Sequence, residues 1–137
     1  MDIRQITPRY SVSPQIAPED MAAIKAAGFT TVICNRPDAE NPPEWQAAAM
    51  QAAAEAAGLT FTYIPLTHQT MTPDNIALQA SAAAAATTLA YCASGTRSTV
   101  IWSLQQAGEG APADEILATA AKAGYDLSGL RPRLEQG

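Results

Sequence analysis

Histidine occurs once in the 137 residues and cysteine twice. So few soft ligands exclude a structural zinc site, and two cysteines are too few for the disulfide framework of a small secreted scaffold. Basic residues are scarce as well. Eight Lys and Arg face thirteen Asp and Glu, for a net charge of −5. Nucleic-acid affinity rests on phosphate contacts, so this balance excludes a generic nucleic-acid partner and requires that any bound anion be held by a local site. No apolar run reaches the roughly 18 residues of a membrane span, so no membrane partner is expected. The opening residues Met1-Asp2-Ile3-Arg4-Gln5 lack the basic-then-apolar pattern of a signal peptide, which makes the cytoplasm the expected compartment.

What is present is apolar and small. Hydrophobic residues make up 47% of the chain, which excludes intrinsic disorder as the main state, and 30 residues are alanine. Alanine favours helix but buries little area, so the core must lean on Ile, Leu, Val and the aromatics. The length predicts one domain spanning 1–137, with no dividing linker and no solenoid repeat.

Element signals alternate along the chain. Tyr10–Ser13, Thr30–Cys34, Thr60–Pro65 and Thr88–Tyr91 read as strands; the second is β-branched and continuous, as suits a strand buried on both faces. Helices are expected from Ala17 until Gly28 stops the first, from Glu44 to Ala57, from Thr72 (as cap, with Pro73 at the first position) to about Ala86, from Ser98 to Gln106, and last from Asp114 to Ala123, closed by Gly124. Strand–helix alternation predicts an α/β fold, with a central, mostly parallel sheet flanked by helices. Ligands bind such sheets at the carboxyl ends of the strands. Three loops leave those ends: 35–41, 66–71 and 92–97. They gather Arg36, Asp38, His68, Cys92 and Arg97 on one rim.

The stretch Cys92-Ala93-Ser94-Gly95-Thr96-Arg97-Ser98 carries the chemistry. A cysteine ends a strand, four residues separate it from an arginine, and a helix follows. Backbone N–H groups of Ala93, Ser94, Gly95, Thr96 and Ser98 can wrap one anion at a helix N-terminus, with Gly95 permitting the turn. Arg97 adds a bidentate contact. The positive surroundings favour the Cys92 thiolate, to which Ser98 can donate a hydrogen bond. Arg36 either helps hold the anion or pairs with Asp38 or Glu40. Cys34 is a core residue or a resolving thiol for Cys92. Trp45 and Trp102 are expected on helices as packing residues. No metal and no cofactor is required.

A Cys-x-x-Gly-x-Arg-Ser loop after a strand resembles the active loop of the tyrosine and dual-specificity phosphatases and that of the rhodanese sulfurtransferases. Further segments narrow the resemblance: Asp2–Ile6, Ser11–Ile16, Asn35-Arg36-Pro37-Asp38, Tyr63-Ile64-Pro65, Tyr91–Ser98 and Gly124-Tyr125-Asp126-Leu127. Together they resemble the phosphatase-like domain of the beta-lactamase hydrolase-like proteins, a bacterial family also described as sulfur transferases. The resemblance covers nearly the whole chain and implies a tyrosine-phosphatase-like fold.

Two chemistries follow. A phosphatase would form a Cys92 phosphocysteine and needs a general acid. Dual-specificity phosphatases usually carry an Asp after the strand resembling Tyr63–Pro65; here the place reads Leu66-Thr67-His68-Gln69, leaving His68 or Asp38 for that role. The loop is also one residue shorter than the tyrosine phosphatases' five, and Tyr91 stands where they usually have His. Rhodaneses have the shorter ring, although many carry Arg directly after the Cys, where this chain has Ala93. Sulfur transfer, with Cys92 taking a sulfur from thiosulfate or a low-molecular-weight persulfide, needs no such acid and is the expected activity; phosphoester hydrolysis is the alternative, and a non-catalytic anion-binding module a third. The expected partner is a small anionic or thiol/persulfide substrate.

Overall fold

The fold is described from a computed structural model, which covers residues 1–84 and 86–136. A five-stranded sheet runs in the order β1-β2-β5-β3-β4, with β1 Arg4–Thr7, β2 Tyr10–Ser13, β3 Thr31–Cys34, β4 Thr60–Tyr63 and β5 Thr88–Tyr91. Four strands are parallel; only β1 pairs antiparallel, with β2. Six helices cover the two faces: α1 Met21–Ala26, α2 Ala47–Ala56, α3 Pro73–Ala83, α4 Thr96–Gly108, α5 Ala113–Lys122 and α6 Arg131–Gln136.

Strand alternation divides the core in two. Val32, Cys34, Leu89 and Tyr91 face α1 and α2 and pack with Met21, Ile24, Met50 and Ala54. Val12, Ile33 and Ala90 face the other way, onto Ile101, Trp102 and Leu104 of α4. Every residue of β2, β3 and β5 is buried, as the apolar runs require, while β4 forms a half-exposed edge. Helix α4 is buried from Ser98 to Leu104, with α3, α5 and α6 packed around it. Its Thr99 and Ser103 hydroxyls satisfy themselves by donating to Gly95 and Thr99 carbonyls one turn back, both at 2.8 Å.

The expected strands and most helices stand, with shifts at the ends. Thr72 caps α3 as read, its hydroxyl accepting from the Asn75 N–H at 3.2 Å. The described helix ends at Ala83; the part of the expected extension that falls on Ala85 lies outside the described residues. Pro18–Asp20 forms a 3-10 turn ahead of a short α1. Helix α2 starts at Ala47 rather than Glu44, because Pro43–Trp45 forms a 3-10 turn and Gln46 is extended. Trp45 is therefore 37% exposed and not a helical packing residue, whereas Trp102 is core. Helix α4 begins at Thr96, not Ser98, which places Arg97 in its first turn. The sequence reading lacks β1, and α6 follows the helix expected to be last. Among the described residues, no helix is long and apolar enough to cross a membrane.

Candidate functional site

Parallel β3, β4 and β5 deliver their carboxyl ends, and the three loops that follow them, to one edge of the sheet. At its centre is Cys92, directly after β5 and fully buried. Its Sγ accepts the Gly95 N–H at 3.1 Å. Gly95 makes this turn with φ 91°, a left-handed conformation that a side chain resists, and α4 starts at the next residue. The loop therefore curls over the sulfur and runs straight into a helix N-terminus.

Arg97 lies beside the sulfur, with its side chain only 13% exposed. Its Nη1 and Nη2 donate to the two Glu40 carboxylate oxygens, each at 2.8 Å, and Nη1 also donates to the Leu66 carbonyl at 3.0 Å. The guanidinium is thus gripped along its terminal edge by the loops after β3 and β4. The Arg97 hydrogen bond holds the Glu40 carboxyl below its ordinary range, against a smaller opposing effect of burial.

Arg36 joins the same group. Its Nε donates to Glu40 Oε1 at 3.3 Å, Nη1 to Gln15 Oε1 at 3.2 Å and Nη2 to the Glu40 carbonyl at 3.2 Å. Of the roles read for Arg36, pairing with Glu40 is the one present here. Asp38 serves the scaffold instead, since its Oδ1 accepts the Ala47 N–H at 2.7 Å and so caps α2. His68 is exposed on its loop, and its imidazole has no hydrogen-bond partner among the described residues. The rim thus brings Cys92, Arg97 and Arg36 together around Glu40, and leaves the Asp38 carboxylate and His68 apart from that group.

Ser98 differs from its expected use. Its hydroxyl donates to Asn35 Oδ1 at 2.8 Å rather than to Cys92. Asn35 and Gln79 form a reciprocal amide pair (Nδ2 to Oε1 2.8 Å, Nε2 to Oδ1 3.0 Å), and Asn35 Nδ2 also donates to the Ile64 carbonyl at 2.9 Å. Gln79 Nε2 reaches the Tyr10 hydroxyl at 3.2 Å, which in turn donates to the Ser98 carbonyl at 2.7 Å. The circuit starts and ends on Ser98 and pins the first turn of α4 from beneath. All four residues are buried.

Cys34 lies on the other face. It is the register partner of Tyr91 and shares its cluster. Its thiol donates to the Arg36 carbonyl at 3.4 Å, and burial pushes it up from its ordinary range. Cys92 follows Tyr91 in the chain, so the two sulfurs start from opposite faces, an arrangement that does not favour a resolving role. Tyr91 itself is fully buried beside Cys34 and is pushed up in turn by burial.

Glu40, Gln79 and Tyr10 are the site residues that sequence reading missed or undervalued. Glu40 enters it only as a partner considered for Arg36, although an acid four residues after an arginine on a strand-end loop is a detectable signal. Gln79 looks like one more polar helix residue until the fold buries it.

The sequence model of the family described as "Beta-lactamase hydrolase-like protein, phosphatase-like domain" matches residues 2–109. A beta-lactamase hydrolase-like protein of Xylella fastidiosa (strain Temecula1) is 33% identical over 132 residues, covering 93% of this chain and 30% of that protein. The chain therefore spans about a third of the length of that relative. A candidate phosphatase from Neisseria meningitidis, solved by crystallography, is 34% identical, with TM-score 0.88 and coverage of 99% of this chain and 98% of the other. The active form of Tk-PTP shares the fold at TM-score 0.72 and 14% identity, covering 98% of this chain and 94% of that one.

Proposed function

The chain belongs to the phosphatase-like domain family of the beta-lactamase hydrolase-like proteins, and on that premise we propose that it is a cysteine-dependent phosphoester hydrolase. The observation that carries this is the buried Cys92 sulfur, hydrogen-bonded at 3.1 Å by the Gly95 N–H at the start of α4, with the Arg97 guanidinium beside it. The Neisseria relative, described as a candidate phosphatase and alike over nearly its whole length, supports it.

In the proposed reaction the Cys92 thiolate attacks phosphorus. An S–P bond forms, the P–O bond to the leaving group breaks, and the leaving oxygen departs with the electron pair. Loop N–H groups and Arg97 hold the non-bridging oxygens as charge builds on them. Water then attacks the phosphocysteine, releasing inorganic phosphate and restoring the thiolate. With the Asp38 carboxylate capping α2 and His68 in solvent, no acid among the described residues is poised on the leaving oxygen. Aryl phosphates, whose leaving groups need little protonation, are thus the favoured substrates. Two free thiols suit a reducing, cytoplasmic setting.

The four-residue spacing between Cys92 and Arg97 favours a second activity on the same loop. There Cys92 attacks the outer sulfur of thiosulfate or a persulfide, an S–S bond forms as sulfite or a thiolate leaves, and a thiol acceptor removes the sulfur. One experiment separates the two. Release of a phenol from an aryl phosphate, inhibited by vanadate and abolished in Cys92→Ser, is the expected result. Failure of that turnover, together with gain of one sulfur by intact mass after thiosulfate and its loss in Cys92→Ser, would replace hydrolysis with sulfur transfer.

A further inference from the structure

Tyr125 lies beyond residues 2–109 matched by the family model, in the turn after α5, yet it reaches the cysteine loop. Its hydroxyl donates to the Ser94 carbonyl at 3.0 Å. That carbonyl and the Gly95 N–H belong to the same peptide group. The bond is trans, so the two ends point in opposite directions. One end is held by Tyr125; the other donates to Cys92 Sγ at 3.1 Å. The phenol oxygen also stands where a side chain at position 95 would go, so a Cβ there would collide with it.

The ring is itself fixed. The Arg4 guanidinium lies over it, 5.2 Å from the centroid, and Arg4 Nη1 donates to the Ala123 carbonyl at 3.2 Å. Gly124, with φ 97°, lets that guanidinium approach, since a Cβ at that position would run into Nη1. Arg4 is in turn paired with Asp2 at 2.9 Å. The charged groups facing this line are thus Arg4 and Asp2 at the ring and Arg97 at the sulfur. Burial pushes the Tyr125 hydroxyl up from its ordinary range, so it remains a donor at neutral pH.

We propose that Tyr125 is a positioning residue that holds the Ser94–Gly95 peptide with its N–H toward Cys92. Without that grip, the left-handed glycine makes the peptide easy to turn over. Its carbonyl oxygen would then face the sulfur and any bound anion, opposing both. Tyr125 acts on Cys92 and the anion through this one peptide and touches neither.

The proposal rests on Cys92 being the nucleophile, and its test needs no substrate. Iodoacetamide alkylation of Cys92 is followed by peptide mapping as a function of pH, with and without tungstate as a protecting oxyanion. Tyr125→Phe removes one oxygen and keeps the ring. Its pH–rate profile should move to higher pH, with alkylation at neutral pH slowed about three- to tenfold, and several-fold more tungstate should be needed for protection. Leu127→Ala, from the same buried cluster, controls for stability. It should lower the thermal midpoint without moving the profile. An unchanged profile in Tyr125→Phe, or an equal shift in Leu127→Ala, overturns the positioning role. A wild-type Cys92 that alkylates no faster than an ordinary thiol overturns the nucleophile as well.

Discussion

Arg97 divides its donors by direction. Glu40 and Leu66 take up three of its five N–H donors, which leaves two to meet an anion at Cys92. Lysine offers only a point charge, so Arg97→Lys should need at least about tenfold more tungstate to protect Cys92 from alkylation. Glu40 has two opposing effects, since it orients the guanidinium and also sets a negative charge near the anion's place. Charge dominates at this close range, so Glu40→Gln should lower the protecting tungstate concentration about threefold; a rise would mean that orientation dominates. Its pH dependence follows from linkage. The carboxyl is held low in the folded state by Arg97, so its stabilisation is present above the unfolded value and is lost as pH falls through the folded one. The thermal-midpoint difference between wild type and Glu40→Gln should be flat above about pH 5 and shrink below about pH 4.

Helix α4 enters the site because three other segments hold its first turn. Gln79 from α3 closes the buried circuit through Asn35, Tyr10 and Ser98. Gln79→Leu would leave Asn35 and the Tyr10 hydroxyl short of partners in the core. It should cost about 2–4 kcal/mol in urea denaturation, well above an ordinary helix substitution. Asp38 sustains α2 in a similar way, and Asp38→Ala should cost about 1 kcal/mol, while aryl-phosphate turnover per folded molecule persists. Both roles were hidden in the sequence for a physical reason. The signals that could be read were local: β-branched runs for β3 and β5, Thr72-Pro73 for the start of α3, and a cysteine, a glycine and an arginine close together for the loop. Strand β1 gave no such signal because only Ile6 of its four residues is buried, and α6 gave none because only Leu134 is. Gln79 and Tyr125 reach the site through topology, from 13 residues before and 33 after the cysteine in sequence, so no spacing rule marks them.

Across the whole molecule, the sheet separates two apolar layers that share no side chain. Substitutions on opposite sides should therefore act independently. Met50→Leu and Ile101→Val, each expected to cost about 1 kcal/mol, should add in the double variant to within about 0.5 kcal/mol by urea denaturation. The reactive edge belongs to both layers, since Cys34 and Tyr91 back it from one and α4 from the other. The contact between Arg4 and the Ala123 carbonyl, 119 residues apart, adds a matter of timing. Docking of Tyr125 onto the loop closes only 31 residues, but the Arg4 clamp that fixes its ring and turn closes 119, which ranks the finished grip among the late events of folding. During synthesis Cys92 is made before the residue that aims its hydrogen bond. A chain still being completed carries the thiol unarmed, and one that begins to fray at the Tyr125 turn loses its chemistry before it loses its sheet.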